Sequence, residues 1–516
     1  MEIKFKDFLK SLNKYSEGIA VKELNDKSKV SSHTYGDLIN DVERLCNVLS
    51  DSELWQKKIA IIARNSYNWI KTFFAITCLG AVVIPIDINI SIHEIINICN
   101  QGEINYIFHS DLETDYIKEI SEKTSTEIIK FISVKDDEKN AQLNNFKEIG
   151  SDDVSVILYT SGTTSEPKAV GLSSRNILSV VYSAKEKRLS NNWTVLSILP
   201  YSHIYALTCD LLFSLENGDT IILNDELTNV FTNMYRFSPN LMYVVPEFIE
   251  KAYKLIMTYI KQCGALMWFN FTKALSKILL LFKIDIRRFL FRKIIRKLGN
   301  IEVFISGGAY LMPKYIHFFN EIGIKILNGY GMTECAPLIT IQNIRDKVNI
   351  NSVGTPISCC EIMIKKEGKS DTGEIYVKGD NVMLGNYIGD NKLKIIDVFE
   401  NNWIKTGDIG RIDKDGSLYL KGRKKNVIVL KNGYNVYPEE LEGFFRQSNI
   451  IDNITIKLDN NEITAIIKPA PEIIEHYDQQ ECKRTIDEEV QRLNNKISAH
   501  MRVTQTRIIY NDRTNI

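Results

Sequence analysis

Between Val156 and Val170 the chain reads VILYTSGTTSEPKAV. A β-branched run empties into a turn of hydroxyls and glycine, Thr160, Ser161, Gly162, Thr163 and Thr164, closed by Pro167 and Lys168. Small side chains let backbone N–H groups approach phosphate oxygens, the hydroxyls add donors, and lysine adds positive charge. The chemistry that follows is a polyphosphate cradle. It is not a Walker loop, because Pro167 precedes the lysine and Ala169 stands where Ser or Thr would hold magnesium.

A second group lies at Asn328–Glu334, NGYGMTE. Tyr330 offers a flat face on which an adenine can stack, and Gly329 and Gly331 allow close backbone approach. Thr333 and Glu334 follow with a hydroxyl and a carboxylate, suited to an α-phosphate and to a magnesium ion that takes few protein oxygens. Further on, Asp408 is an acceptor-only carboxylate able to take both ribose hydroxyls. Arg423, always charged and fork-shaped, can clamp ribose or pyrophosphate oxygens.

The ordered set resembles the adenylate-forming (AMP-binding) superfamily of acyl-CoA synthetases, adenylation domains and luciferases. The phosphate turn, the NGYGMTE element, Thr406-Gly407-Asp408 and Gly422–Glu442 (GRKKNVIVLKNGYNVYPEELE) match its motifs in order and rough spacing. With the weaker Thr34–Leu38 (TYGDL) and Gly80–Asp87 (GAVVIPID), the resemblance covers residues 33–442. It implies a two-step reaction: a carboxylate attacks the α-phosphate of ATP, giving an acyl-adenylate and pyrophosphate, and a thiol then displaces AMP. ATP, Mg2+ and coenzyme A, or a phosphopantetheine carrier, are the implied cofactors. Thr163, Lys168, His203, Glu334 and Lys425 are the implied catalytic residues, with Thr163 and Glu334 toward the metal. Lys425 is implied as the pivot of a small C-terminal domain, although an exposed lysine of no special role has equal standing from sequence. Gly433 would border the thiol tunnel.

Leu199–Tyr205, LPYSHIY, resembles the family's L-P-x-x-H motif, whose histidine lines or gates the acyl pocket. The absence of an aspartate beside His203 weakens an amino-acid substrate. Ser306-Gly307-Gly308-Ala309, preceded by a basic and apolar insertion, is similar to long-chain fatty acyl-CoA synthetases; Gly308 and Ala309 would floor the nucleotide site. From 248 to 299 twelve Lys and Arg face only Glu250 and Asp285, a surplus of ten positive charges. Phe291, Ile294, Ile295 and Leu298 keep i, i+3, i+4, i+7 spacing beside a row of Arg288, Arg292 and Arg296. That is a cationic amphipathic helix, fit to lie on an anionic bilayer or to dock with a solvated basic face.

These residues need elements to position them. From Thr34 to about Gly422, short β-branched runs alternate with helical patterns, among them Lys58–Ala63, Ala81–Ile86, Tyr106–His109, Val154–Thr160, Leu241–Val245, Glu302–Ser306 and Lys325–Leu327. This predicts layered α/β sheets. Gly- and Asp-rich turns after Gly354 predict a β-rich subdomain at 355–422, and Gly422–Asn426 reads as a turn. The expected domains are a large one at 1–422 and a small, mobile α+β one at 423–516.

The chain of 516 residues balances 64 Lys and Arg against 64 Asp and Glu, which excludes a globally basic nucleic-acid binder. Its nine cysteines are scattered, with no C-x-x-C pair, so neither a disulfide framework nor a thiolate metal site is expected. The N-terminus has no signal-peptide core, and the longest apolar run, Thr72 to Ile86, is too short to span a membrane. The expected location is cytoplasmic, with peripheral contact at the inner membrane surface open.

Ser165 and Ala169 replace two family glycines. Ile497–Ile516 follows the family's closing pattern, whose final lysine would fall just past Ile516. Three functions therefore stand open: a medium- or long-chain fatty acyl-CoA synthetase, a ligase loading an acyl carrier protein, or an impaired acyl- or nucleotide-binding relative.

Overall fold

The computed structural model describes all residues except 1–2, 25–28, 51–52, 111, 113, 133–142, 144–145, 148, 161–167, 189–191, 367–370, 389–391, 395–398, 431–434, 460–461 and 511–516. The chain forms two compact units. The first comprises 1–311, 316–361 and 377–404; the second, 312–315, 362–376 and 405–516. Residues 405–422 thus group with the C-terminal part, whereas the sequence reading divides the chain at 422.

Two sheets build the first unit. One contains β1 (Lys58–Ile62), β2 (Val82–Ile86), β3 (Val154–Thr160) and β4 (Lys168–Ser173). β1, β2 and β3 run parallel, and β4 returns antiparallel to β3. Every residue of β1 is buried, as expected of a strand with both sheet faces covered. The helix Tyr67–Cys78 that follows is buried along almost its whole length, its N-terminus capped by the Ser66 side chain, which accepts from Trp69 N. Ala60, Ile62, Ile84, Ile95, Ile107 and Ile157 lie at the centre of this sheet's core.

The other sheet carries β5 (Thr194–Ser197), β6 (Leu241–Val244), β7 (Val303–Ser306), β8 (Lys325–Gly331) and β9 (Leu338–Ile341). β5 through β8 are neighbours and parallel; β9 is antiparallel to β8. Between β6 and β7 the basic insertion folds as α1 (Pro246–Gln262), α2 (Leu266–Leu281), a short turn of helix and α3 (Arg292–Lys297).

The expected amphipathic helix around residue 291 proves to be two short pieces docked on the fold. Phe291, Ile295 and Leu298 are all buried, and Arg288 donates to the carbonyls of Asn300 and Ile301 at 2.8 Å each. Apolar burial and backbone capping consume the face that the sequence offered to a bilayer.

In the second unit, residues of β10 (Trp403–Ile412) pair antiparallel with β11 (Leu418–Arg423). Gly422 and Arg423 end a strand, and the turn begins at Lys424, two residues later than the sequence reading. A sheet of 451–459, 462–469 and 505–508 packs with two helices over a core that includes Leu441, Phe445, Ile454, Ile467 and Ile486. The result is the small α+β assembly expected at this end of the chain.

Candidate active site

Ligands of open parallel sheets settle where strands end at their carboxyl edge, because loops diverge there and leave a crevice. Both sheets of the first unit turn such an edge toward one place. β2 runs directly into Asp87, and the loop after β5 carries His203; Asp87 Oδ2 lies 3.6 Å from His203 Nε2. Asn65, three residues past β1, donates from Nδ2 to Leu199 O at 2.7 Å and accepts from Tyr201 N at 2.9 Å. Two independent links therefore join the edge of one sheet to the histidine loop of the other. His203 bonding to the Asp87 carboxylate holds that group below the ordinary carboxylate range. The His203 side chain itself is 68% exposed, open to a ligand.

Thr160 and Lys168 are register partners across β3 and β4, with Thr160 Oγ1 donating to Lys168 O at 3.3 Å. The hairpin thus brings both ends of the phosphate turn together. Ser161, Gly162, Thr163 and Thr164 themselves lie outside the described residues.

On the second sheet Ser306, the last residue of β7, is the register partner of Asn328 within β8. Gly308 takes φ +83°, a conformation that favours glycine, and Ala309 beside it is exposed. Gly329, Tyr330 and Gly331 belong to β8. Tyr330 is 8% exposed, so only an edge or face of its ring is open. A Cβ on Gly331 would stand 1.9 Å from Pro337 O, so only glycine lets β9 pass this closely. Thr333 and Glu334 follow in a single helical turn. Glu334 O accepts from Met383 N at 2.8 Å, while Leu384 N donates to Gly171 O at 3.1 Å. Residues 383–384 thereby tie the glutamate turn to the phosphate hairpin.

A polyphosphate nucleotide fits these residues. The Ser306 hydroxyl is buried at the strand edge with no partner among the described residues, as a donor kept for a ligand would be. Lys168 is exposed at the mouth of the hairpin. Thr333 and Glu334 supply the few oxygens that a magnesium ion keeping most of its waters would take.

The second unit carries Asp408 and Arg423, the residues expected from sequence to take the ribose. Asp408 and Arg423 face each other across β10 and β11, with Arg423 Nε 3.0 Å from Asp408 Oδ1. Thr406 Oγ1 accepts from Asp408 N at 3.1 Å and donates to Ile375 O at 2.9 Å. Lys424 pairs with Glu374 at 2.7 Å, Asn426 donates to Glu439 at 2.6 Å, and Lys425 between them is exposed. Gly433 lies outside the described residues.

Two functional candidates escaped the sequence reading. Asn65 is one. The other is Asp210, wholly buried in a π-helical stretch just after the histidine loop and held by Ser197 Oγ at 2.6 Å. Burial pushes its carboxyl up to about 7. Wide helical turns of this kind recur beside functional sites.

A carboxyl edge shared by two mixed, largely parallel sheets, followed by a small α+β unit with an Asp–Arg pair, suits an enzyme that binds a nucleotide. The model of the AMP-binding enzyme family matches residues 8–387, and that of the AMP-binding enzyme C-terminal domain matches 425–515. The chain belongs to the AMP-binding enzyme family. It is similar to the long-chain-fatty-acid–CoA ligase FadD15 of Mycobacterium bovis, 27% identical over 461 residues, covering 83% of this chain and 75% of that one. It is also similar to the chloroplastic long-chain-fatty-acid–[acyl-carrier-protein] ligase AEE15 of Arabidopsis thaliana, 26% identical, covering 83% and 71%. Among solved structures, ATP-bound MatB from Rhodopseudomonas palustris superposes with a TM-score of 0.75 at 19% identity, covering 100% of this chain and 96% of that one.

Proposed function

We propose that the protein activates a medium- or long-chain fatty acid with ATP and transfers the acyl group to coenzyme A. The observation that carries this reading is the joining of the two carboxyl edges through Asp87 and His203. It sets a histidine, in the frame of an acyl-pocket motif, on the edge that also bears the phosphate hairpin and the NGYGMTE strand. In the first step an acid oxygen attacks the α-phosphorus, the P–O bond to pyrophosphate breaks, and pyrophosphate leaves. In the second a thiolate attacks the acyl carbonyl and the C–O bond to AMP breaks. Lys168, Thr163 and backbone N–H groups neutralise phosphate charge, and Glu334 with Thr163 and Thr333 would hold magnesium, which screens the same oxygens. Asp408 and Arg423 would hold the ribose, and Lys425 would be the pivot of a C-terminal domain beginning at 423. A cytoplasmic setting belongs to the same reading.

A carrier-protein acceptor is the second reading, favoured by the likeness to the plant acyl-carrier-protein ligase. ATP–pyrophosphate exchange across carboxylic acids of increasing chain length tests the first step, with maximal exchange expected for fatty acids. Exchange with amino or aromatic acids alone would overturn the substrate assignment. Release of AMP on adding coenzyme A, compared with a purified acyl carrier protein, separates the acceptors.

A further inference from the structure

The helix α2 has two unlike faces, and only one is used by the fold. Inward, Phe269 packs against Phe291 and Phe318 with ring centroids 5.4 and 5.9 Å away. Lys273 and Lys277 reach Glu321 at 2.7 and 2.6 Å. Outward, Met267, Trp268, Phe271, Leu275, Ile278 and Leu281 are all exposed, Met267 at 81%, Trp268 at 72% and Leu281 at 82%. At 100° per residue these six fall within an arc of about 140°, one continuous apolar stripe. A monomer in water rarely keeps such a stripe uncovered.

The surrounding charge says what covers it. No Asp or Glu occurs from Lys251 to Ile284, while Lys251, Lys254, Lys261 and Lys283 lie in the same span. In the same insertion a groove of about 570 Å³ opens between α1 and α3, with Leu255, Tyr259 and Ile294 in its lining and Lys251, Lys254 and Lys297 among the same residues. A second copy of the chain would bring this positive surface against itself, since a two-fold interface pairs identical patches. A layer with an apolar interior and anionic headgroups complements both the stripe and the lysines. A tryptophan at the first turn of the helix suits the headgroup level, where amphipathic rings settle. No helix among the described residues is long and apolar enough to cross a membrane, so the geometry is that of a helix lying in the surface.

We propose that α2 seats the protein on an anionic membrane, with its outward stripe among the acyl chains and the lysines of α1 over the headgroups. The contact stands on the helix; its purpose, access to an acid that dissolves in the bilayer, rests on the fatty-acid reading above.

Flotation of the full chain with phosphatidylcholine vesicles, with and without phosphatidylglycerol, tests it. Binding is expected to require the anionic lipid, to weaken but persist at high salt, and to shift tryptophan emission to the blue in the native protein but not in Trp268→Phe. The double variant Met267→Ser, Phe271→Ser should lose about tenfold or more in partitioning. Its thermal midpoint and its pyrophosphate exchange with a water-soluble short-chain acid should stay unchanged. Three results would overturn the proposal: no flotation, equal flotation of the double variant, or a concentration-dependent dimer that the variant abolishes while vesicles stay unbound. Exchange with the soluble acid reports the enzyme separately, so failure of the membrane contact is distinguishable from failure of the proposed reaction.

Discussion

Asp210 shows how much a single position can carry. Its carboxyl is completely buried, one oxygen accepts from Ser197, and the other has no partner among the described residues. Desolvation lifts it from 3.8 to about 7. Below pH 4 both folded and unfolded chains hold this proton. Between pH 4 and 7 the unfolded chain releases it while the folded chain keeps it, so rising pH favours unfolding, and above pH 7 the full penalty is present. Asp210→Asn removes that dependence. The stability of the native protein relative to the variant should fall by on the order of 3 kcal/mol from pH 4 to 7, read from urea midpoints at stepped pH. A flat difference would show that the group is ionised in both states or in neither.

At the scale of elements, β8 and β9 pass so closely at Gly331 that any side chain must part them. Gly331→Ala should cost about 1–3 kcal/mol in stability and raise KM for ATP in pyrophosphate exchange, because Tyr330 and Glu334 flank the displaced residue. An unaltered KM would detach the strand from nucleotide binding. The sequence made much of this architecture legible. Runs such as Tyr106–His109 and Val154–Thr160 are strands with the expected ends, since continuous apolar β-branched stretches mark buried parallel strands. Lys325–Leu327 fell short because NGYG has no apolar pattern of its own; the strand continues to Gly331 only because β9 lies alongside. The motif residues were readable as an ordered set. Asn65 was not, since its meaning lies in a backbone carbonyl 134 residues away, and no local spacing encodes that distance. The same holds for α2, whose outward face became visible only once Phe269 and Glu321 fixed which side is inward.

For the whole molecule, the two compact units divide the labour that the proposed reaction requires. Lys168, His203 and Glu334, proposed for the phosphates, the acid and magnesium, lie in the first, and Asp408, Arg423 and Lys425 in the second. If Lys425 is the pivot between half-reactions, Lys425→Pro, which fixes φ near −65°, should leave pyrophosphate exchange within about threefold of the native rate. Thioester formation should then fall about a hundredfold or more, a difference of about 2.7 kcal/mol in barrier. Quenched-flow assay of each half-reaction reads the two numbers separately, and a parallel loss in both would place Lys425 in the first step instead. One feature of the first unit bears on speed. Asn65 grips the histidine loop at residues 199 and 201, while His203, two residues on, stands largely in solvent. The backbone at His203 is held as well, its N donating to Pro200 O and its O accepting from Leu207 N at 3.0 Å each, so only the side chain is free to turn. If His203 gates the proposed acid site, opening needs only a rotation of one imidazole away from Asp87, an event of picoseconds to nanoseconds rather than the microseconds of a moving lid. Such a gate would equilibrate many times before any acid arrives.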